Sequence, residues 1–479
     1  MALKPTLRPT RAAHYLQPGG AWDVPSLDAV LAEKTPGAIA ERVASAAGGL
    51  RARGVRRGDA VAWQLRNVDE AVLMYRACWR LGAVAVPVHH GMGTADVATA
   101  LAQVEPRVVL TEPDDVDGLM RLAPGVTAAQ SVARPNDLAV ALFTSGSTGA
   151  PKAVLHTQRG LAYKARLMRE VHGLTSEDAV LMPAPLAHIS GLLNGVLLPG
   201  VAGMRTVLME KWDPDEALGV IADERITFMI GPPTFFVTLM AASRFSAEAV
   251  QSLRLISSGG AGVTPAFVDQ ARDAFGAVVK RTYGSTEAPT VTTSHEGDPL
   301  DKARDTDGRA TGEVELRISS NGAKGEGGEL WVRGPELFVG YADPLQTRAA
   351  HARGGWFRTG DLATIDADGW LTVVGRIKDV VIRGGENISV AEVEGVLEAH
   401  PAVRQAVVVG FPDDVLGERV AAFVVADGAF DLDATRAWFA EKGVTKFKTP
   451  ERVLQLDALP TLAAGKPDRV ALRELARRA

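Results

Sequence analysis

Leu142–Thr157 reads LFTSGSTGAPKAVLHT, and this stretch decides how the rest of the chain is read. It leaves an apolar run, Leu138–Phe143, whose length and flanking breakers predict a buried strand. Thr144, Ser145, Gly146, Ser147, Thr148 and Gly149 follow, four hydroxyls and two glycines in six residues, and Pro151 and Lys152 come almost at once. Backbone N–H groups, hydroxyls and one ammonium suit a polyanion, and glycines let the main chain approach it closely. The loop therefore reads as a phosphate cradle. A flexible Gly/Ser/Thr linker is the plainer alternative, but a linker needs neither the strand before it nor the Pro-Lys after it. The spacing Gly146-x-x-Gly149-x-x-Lys152 excludes a Walker A loop, which needs Gly-x-x-x-x-Gly-Lys-Ser/Thr.

Around this loop, Ala60–Leu65, Ala83–Val88 and Arg107–Leu110 read as short strands between alanine-rich helices. The pattern recurs at Thr206–Met209, Thr227–Ile230, Leu253–Ser257 and Ala277–Tyr283, an alternation that favours parallel sheets covered by helices. From Gly308 the texture turns antiparallel, with alternating segments at Gly312–Ile318 and Gly328–Arg333 and a strand at Gly369–Val374 after an Asp-x-Asp-Gly turn. Beyond Gly375–Asp379 it changes again. Ser389 and Glu392 form a capping box ahead of the stripe Val390, Val393, Val396, Leu397. Strands at Gln405–Val409 and Val420–Val425 and a helix near Asp433–Lys442 complete a small α/β unit, so a domain boundary is placed at Arg376–Asp379.

With 479 residues the chain exceeds one core, and about three units are expected. A net charge of −5 without a basic block disfavours nucleic acid as partner. The single cysteine, Cys78, excludes an internal disulfide framework and a cysteine-built zinc site, and suits a reducing cytoplasm. The N-terminal stretch lacks the apolar core of a secretory signal, and no apolar run is long enough for a membrane span.

Further constellations carry chemistry. Thr282-Tyr283-Gly284-Ser285-Thr286-Glu287 ends a strand, and ligands bind at the C-terminal edge of parallel strands. There Tyr283 offers a flat face to a base, Thr286 a hydroxyl, and Glu287 a hard oxygen ligand for Mg²⁺ riding on phosphates. Ser257–Ala261, with Gly259 and Gly260, opens a strand into small residues that admit a flat base or serve as a tight turn. Asp361, after Gly360, can accept from both hydroxyls of a ribose diol, and Arg376 can reach a phosphate bidentately. Lys466 stands in a loop before a terminal helix.

In order, TSGSTGAPK (144–152), TYGSTE (282–287), GWFRTGD (355–361), GRIKDVVIRGGENI (375–388) and the late Gly465-Lys466 resemble the core motifs of the adenylate-forming superfamily. That superfamily comprises acyl-CoA synthetases, luciferases and nonribosomal peptide adenylation domains. The motifs span about two thirds of the chain, and Ala153 departs from the usual glycine. The resemblance implies an α/β fold: a large N-terminal domain, residues 1–377, of mixed and parallel sheets covered by helices with a β-rich subdomain, and a small mobile α/β C-terminal domain, residues 378–479. It implies that Lys466 supports adenylation, with Thr148 and Glu287 as catalytic partners and magnesium ligands. The implied ATP and AMP contacts are Thr144–Gly149, Lys152, Gly259, Gly260, Ala261, Thr282, Tyr283, Gly284, Ser285, Thr286, Asp361, Val373, Arg376 and Lys466. Lys378 falls at the hinge, and Gly384, Gly385 and Glu386, followed by Asn387, match the loop that faces CoA in the second half-reaction.

Pro183–Gly191 resembles the family segment that sets a histidine, here His188, beside the acyl pocket, and the resemblance implies that Asn194, Gly231, Pro232, Thr234 and the strand end Ser257–Ala261 also line it. No acidic residue matches the one that grips an amino acid's ammonium in peptide-synthetase domains, so an apolar acid is favoured. The implied partners are ATP with Mg²⁺, CoA as co-substrate and a small carboxylic acid, with a homodimer left open. Three readings follow: a CoA ligase for a fatty, alicyclic or aryl acid; an adenylating enzyme passing acyl-AMP to a carrier protein or amine; and a non-catalytic nucleotide-binding protein. Lys466, Asp361, Glu287 and Arg376 at matching positions weigh against the third.

Overall fold

Short strands that are apolar on both faces need helices on both sides. The computed structural model, which describes residues 3–5, 12–123, 131–145, 151–319, 327–383, 386–413, 415–462 and 465–478 (backbone alone at Ser145, Lys378 and Asn387), has that arrangement. In the first sheet, Val108–Leu110, Ala60–Trp63, Val84–Pro87 and Leu138–Ser145 lie parallel, and Pro151–Thr157 closes the edge antiparallel to Leu138–Ser145. The second runs parallel from Val278–Tyr283 through Leu255–Gly259, Phe228–Gly231 and Ala179–Met182 to Arg205–Leu208. Its other edge carries two antiparallel pairs, Thr292–Thr293 and Arg309–Ala310. The antiparallel texture expected from Gly308 thus begins earlier, on the rim of a parallel sheet. The helices Asp69–Leu81 and Gln158–Val171 fill the space between the two sheets, and residues of both sheets share one core with them. Cys78 lies fully buried in that shared core.

The β-rich subdomain is an antiparallel sheet of Glu315–Ile318, Gly328–Arg333, Trp356–Ile365, His351–Ala352 and Leu371–Arg376. Its core takes in Val154 from the first sheet and Ala288 from the turn after the second, so all three sheets meet at one corner. The smaller C-terminal unit has Val381–Arg383, Glu386–Ile388, Val403–Asp413, Gly417–Ala426 and Arg452–Gln455 in one sheet, with a separate apolar core on each face. Ser389 caps the helix Val390–Glu398 by accepting the Glu392 N–H at 3.3 Å, as the capping-box spacing predicts. A single 3₁₀ turn, Ile377–Asp379, joins the strand Leu371–Arg376 to the smaller unit. No helix among the described residues is long and apolar enough to cross a membrane.

Candidate active site

The glycine-rich loop connects the antiparallel strands Leu138–Ser145 and Pro151–Thr157, with Thr144 opposite Lys152 and Ser145 opposite Pro151. A strand, not a helix, follows the loop, which separates it from a Walker A arrangement in structure as well as in spacing. Gly146, Ser147, Thr148 and Gly149 lie outside the described residues. The Lys152 ammonium stands over the Tyr341 ring, 5.5 Å from its centre, and the Tyr341 hydroxyl donates to Glu287 Oε1 at 2.8 Å. The strand after the loop is therefore linked, through one aromatic ring, to the carboxylate expected at the magnesium position. Four residues further along that strand, the buried His156 bonds the Thr286 carbonyl at 2.8 Å.

The strand Val278–Tyr283 ends in a tight turn in which Ser285 N–H donates to Ala288 O at 2.9 Å and Phe338 N–H donates to Glu287 O at 2.9 Å. Gly284 is required there: a Cβ on it would lie 2.3 Å from the Thr290 nitrogen. Beside this turn, Asp361 and Arg376 face each other on adjacent strands of the β-rich sheet. Asp361, only 4% exposed, accepts the Tyr283 hydroxyl on Oδ2 at 2.6 Å and meets Arg376 Nε with Oδ1 at 2.9 Å. Burial and then the Asp361 charge push the Tyr283 hydroxyl pKa well up, so the phenol stays a donor. Each carboxylate oxygen has two lone pairs, so one on each remains for a diol.

The smaller unit contributes Lys466. The turn that carries it is closed by Gly465 N–H to Leu462 O at 2.8 Å and Leu462 N–H to Lys466 O at 2.7 Å. The Thr234 hydroxyl donates to Gly465 O at 2.6 Å, fastening the turn to the large domain. Thr234, expected along the acyl tunnel, thus has its hydroxyl committed to the C-terminal loop. The Lys466 side chain reaches over Gly260, on which a Cβ would sit 3.2 Å from the lysine Cε. The residue keeps exposed surface while its ammonium end is crowded by protein. Loss of surrounding water and then the Arg376 guanidinium lower its pKa, against the opposing pull of Asp361 and Glu287. The ammonium thus lies within electrostatic reach of three of the groups singled out from sequence, Arg376, Asp361 and Glu287, of which Arg376 and Asp361 touch each other.

Burial, then neighbouring His89 and the charge of Lys466, hold the His188 pKa down at about 3, so it is neutral at pH 7. Its ring stacks on His89 at 5.2 Å, and His89 on His90 at 4.5 Å. Asn194 is buried in the π-helical turn Leu192–Leu197 and donates to Ser190 O at 2.8 Å, and π-helical turns are frequent at functional sites. Gly231 O accepts the Ser258 hydroxyl at 3.2 Å, tying two neighbouring strand ends together. Val373 donates its N–H to Asp307, which pairs with the buried Arg281, so its backbone is anchored inside the subdomain. Glu386 is exposed and paired with Arg383 on the C-terminal sheet, and Gly384 and Gly385 lie outside the described residues. Sequence reasoning missed Tyr341, His156 and His89. Tyr341 alone had a signal: it closes a Gly-Tyr step after the strand Gly328–Arg333.

A sequence model of AMP-binding enzymes matches residues 33–342, and one of the AMP-binding enzyme C-terminal domain matches residues 392–466. The chain belongs to the AMP-binding enzyme family. It is 33% identical over 471 residues to a medium-chain fatty-acid–CoA ligase of Escherichia coli (strain K12), covering 88% of this chain and 82% of that one. It is 34% identical over 452 residues to a feruloyl-CoA synthase of an Amycolatopsis species, covering 89% and 91%. ATP-bound MatB from Rhodopseudomonas palustris superposes with a TM-score of 0.81 at 29% identity over 92% of this chain and 93% of that one. This AMP-binding enzyme thus has the family's large N-terminal and smaller C-terminal domain, in an α/β fold.

Proposed function

We propose that this AMP-binding enzyme is an ATP-dependent carboxylate–CoA ligase for a fatty, alicyclic or aryl acid. The observation that carries this reading is the Lys466 turn seated by Thr234 on the large domain, its side chain over Gly260, at the end of the sheet where Tyr283, Asp361 and Arg376 are joined. An acid oxygen attacks the α-phosphorus of ATP, the bond to the β-phosphate oxygen breaks, and acyl-AMP and pyrophosphate form. A CoA thiolate then adds to the acyl carbon and AMP leaves. Lys466 neutralises the charge that develops on the phosphoryl oxygens in the first step. Asp361, oriented by Tyr283 and Arg376, takes the ribose hydroxyls and holds the nucleotide through both steps. Thr144 to Gly149 and Lys152 take the phosphates, and Gly259 to Ala261 flank the base.

Glu287 suits a magnesium ion: Tyr341 occupies only Oε1, and this cation commonly takes one or two carboxylates together with substrate phosphates. Glu287 and Thr148 would hold it, and it would supply positive charge to the phosphates. We assign the domains to residues 1–377 and 378–479, with the turn Ile377–Asp379, and Lys378 within it, as the pivot. Rotation there withdraws Lys466 and brings Gly384, Gly385 and Glu386 to the CoA channel. The uncharged set Asn194, Gly231 and Thr234 and the neutral His188 suit an apolar acid, as the relatives' named substrates do. The lone buried cysteine suits a reducing cytoplasm.

The test is a panel of fatty, alicyclic and aryl acids assayed for pyrophosphate and AMP, with and without CoA. Acid-dependent pyrophosphate with CoA-dependent AMP release is expected. AMP release that needs an amine or a carrier protein instead of CoA overturns the acceptor, and no acid-dependent pyrophosphate overturns the reading.

A further inference from the structure

The turn 283–290 is held from behind by charges that touch neither Tyr283 nor Glu287 directly. Thr290 has φ +40°, a conformation that a β-branched residue adopts only when its surroundings impose it. Its carbonyl accepts from Lys164 Nζ at 2.6 Å and from Thr311 Oγ1 at 3.1 Å. Lys164 also donates to Thr311 Oγ1 at 3.0 Å and to Glu336 Oε1 at 3.2 Å, and the Lys164 and Glu336 side chains are 0% exposed. Glu336 Oε2 has no hydrogen-bond partner among the described residues. Lys164 sits on the helix Gln158–Val171, which Thr157 caps directly after the strand that leaves the glycine-rich loop.

We infer that Lys164 and Glu336 are positioning residues for the nucleotide, acting through the Thr290 carbonyl on the turn that presents Tyr283 and Glu287. A buried ion pair is a poor source of stability, because an apolar pair of similar volume usually does as well. What an apolar pair cannot do is hold a carbonyl at a fixed point, and here that carbonyl belongs to the strained end of the turn. Gly284 packs against Thr290 at the other end, so a shift of Thr290 moves the turn that bears Glu287. The helix that bears Lys164 follows the strand leaving the glycine-rich loop, so the ammonium ties that strand and the turn into one register. Burial lowers the Lys164 pKa while Glu336 opposes the change, in keeping with a dry, tightly paired site. The inference rests on the proposed function in taking this turn as the nucleotide's seat.

The test separates holding the fold from holding the nucleotide. AMP binding by titration calorimetry and the thermal midpoint are measured for the parent, Lys164→Met, Lys164→Met/Glu336→Leu and Thr311→Val. Lys164→Met leaves a carboxylate buried without its cation, and its midpoint should drop. The double variant should recover the parent midpoint yet bind AMP about tenfold or more weakly, since small displacements of positioning groups are costly. Thr311→Val keeps the ion pair and removes one donor to Thr290, and AMP binding should weaken without a matching loss of midpoint. Parent-like AMP affinity in the folded double variant, or in Thr311→Val should the double variant not fold, overturns the inference. A parent that binds no AMP overturns the function reading instead.

Discussion

At the scale of the residue, the sharpest consequence concerns Lys466. It reaches over Gly260 only because Gly465 and Thr234 seat its turn on the large domain. On the proposed mechanism, removing the ammonium deletes one preorganised charge from the first step, a loss comparable to about 10²–10³ in rate. Lys466→Ala should therefore form acyl-AMP slowly, yet convert supplied acyl-AMP and CoA at nearly the parent rate. Quenched-flow assays of the two half-reactions on folded protein check this, and equal damage to both would contradict a role confined to adenylation. Lys466, Asp361, Arg376 and Glu287 were legible in the sequence because each sits in a short local pattern. Tyr341, His156 and His89 were not. Tyr341 touches Glu287 across 54 residues and His156 touches Thr286 across 130, and no local spacing encodes such contacts. Lys164 and Glu336 lie 172 residues apart and read singly as ordinary surface charges.

At the scale of the element, alternation of apolar strands and helices gave most of the architecture, with strand ends off by at most four residues, as at Val403–Asp413. The strand Gly328–Arg333 and the cap at Ser389 were placed as read. Trp356–Ile365 escaped as a strand because Gly360 and a bulge near Leu362 break its alternation, while the strand Pro151–Thr157 begins with a proline that reads as a breaker. That proline is tolerated because its strand lies at the sheet edge. The turn at Gly465 carries the prediction at this scale. Its φ is +75°, and an added Cβ would lie 2.7 Å from the Phe235 ring, which is buried and stacked on Trp212 at 4.5 Å and so cannot retreat. Gly465→Ala should displace the Lys466 turn and slow adenylation about tenfold or more. Thermal stability should fall only by the strain of one left-handed residue, about 1–2 kcal/mol. An adenylation rate equal to the parent's would show that the seat does not matter.

At the scale of the whole molecule, the large domain encloses uncharged histidines. Burial holds His156 at about 4, and burial with the nearby Lys280, Lys164, Arg254 and His295 holds His172 at about 3. The unfolded chain takes up these protons near pH 6.5, whereas the folded chain does so only near pH 3–4. Stability therefore falls as pH drops through that window, by about 2 kcal/mol per histidine between pH 7 and pH 5. Urea unfolding of the large domain at the two pH values should show the loss, and His172→Leu should reduce it by about 2 kcal/mol. A pH response unchanged in that variant would remove His172 from the account. The lone cysteine has a different use. Cys78 is wholly enclosed and burial pushes its thiol pKa up, so the native protein offers maleimide reagents no reactive sulfur. Two cysteines introduced on exposed positions, one either side of the turn Ile377–Asp379, would then be the only labelled sites. A donor and an acceptor dye placed there would report the separation of the two domains, molecule by molecule, without first rebuilding the chain free of its own cysteine.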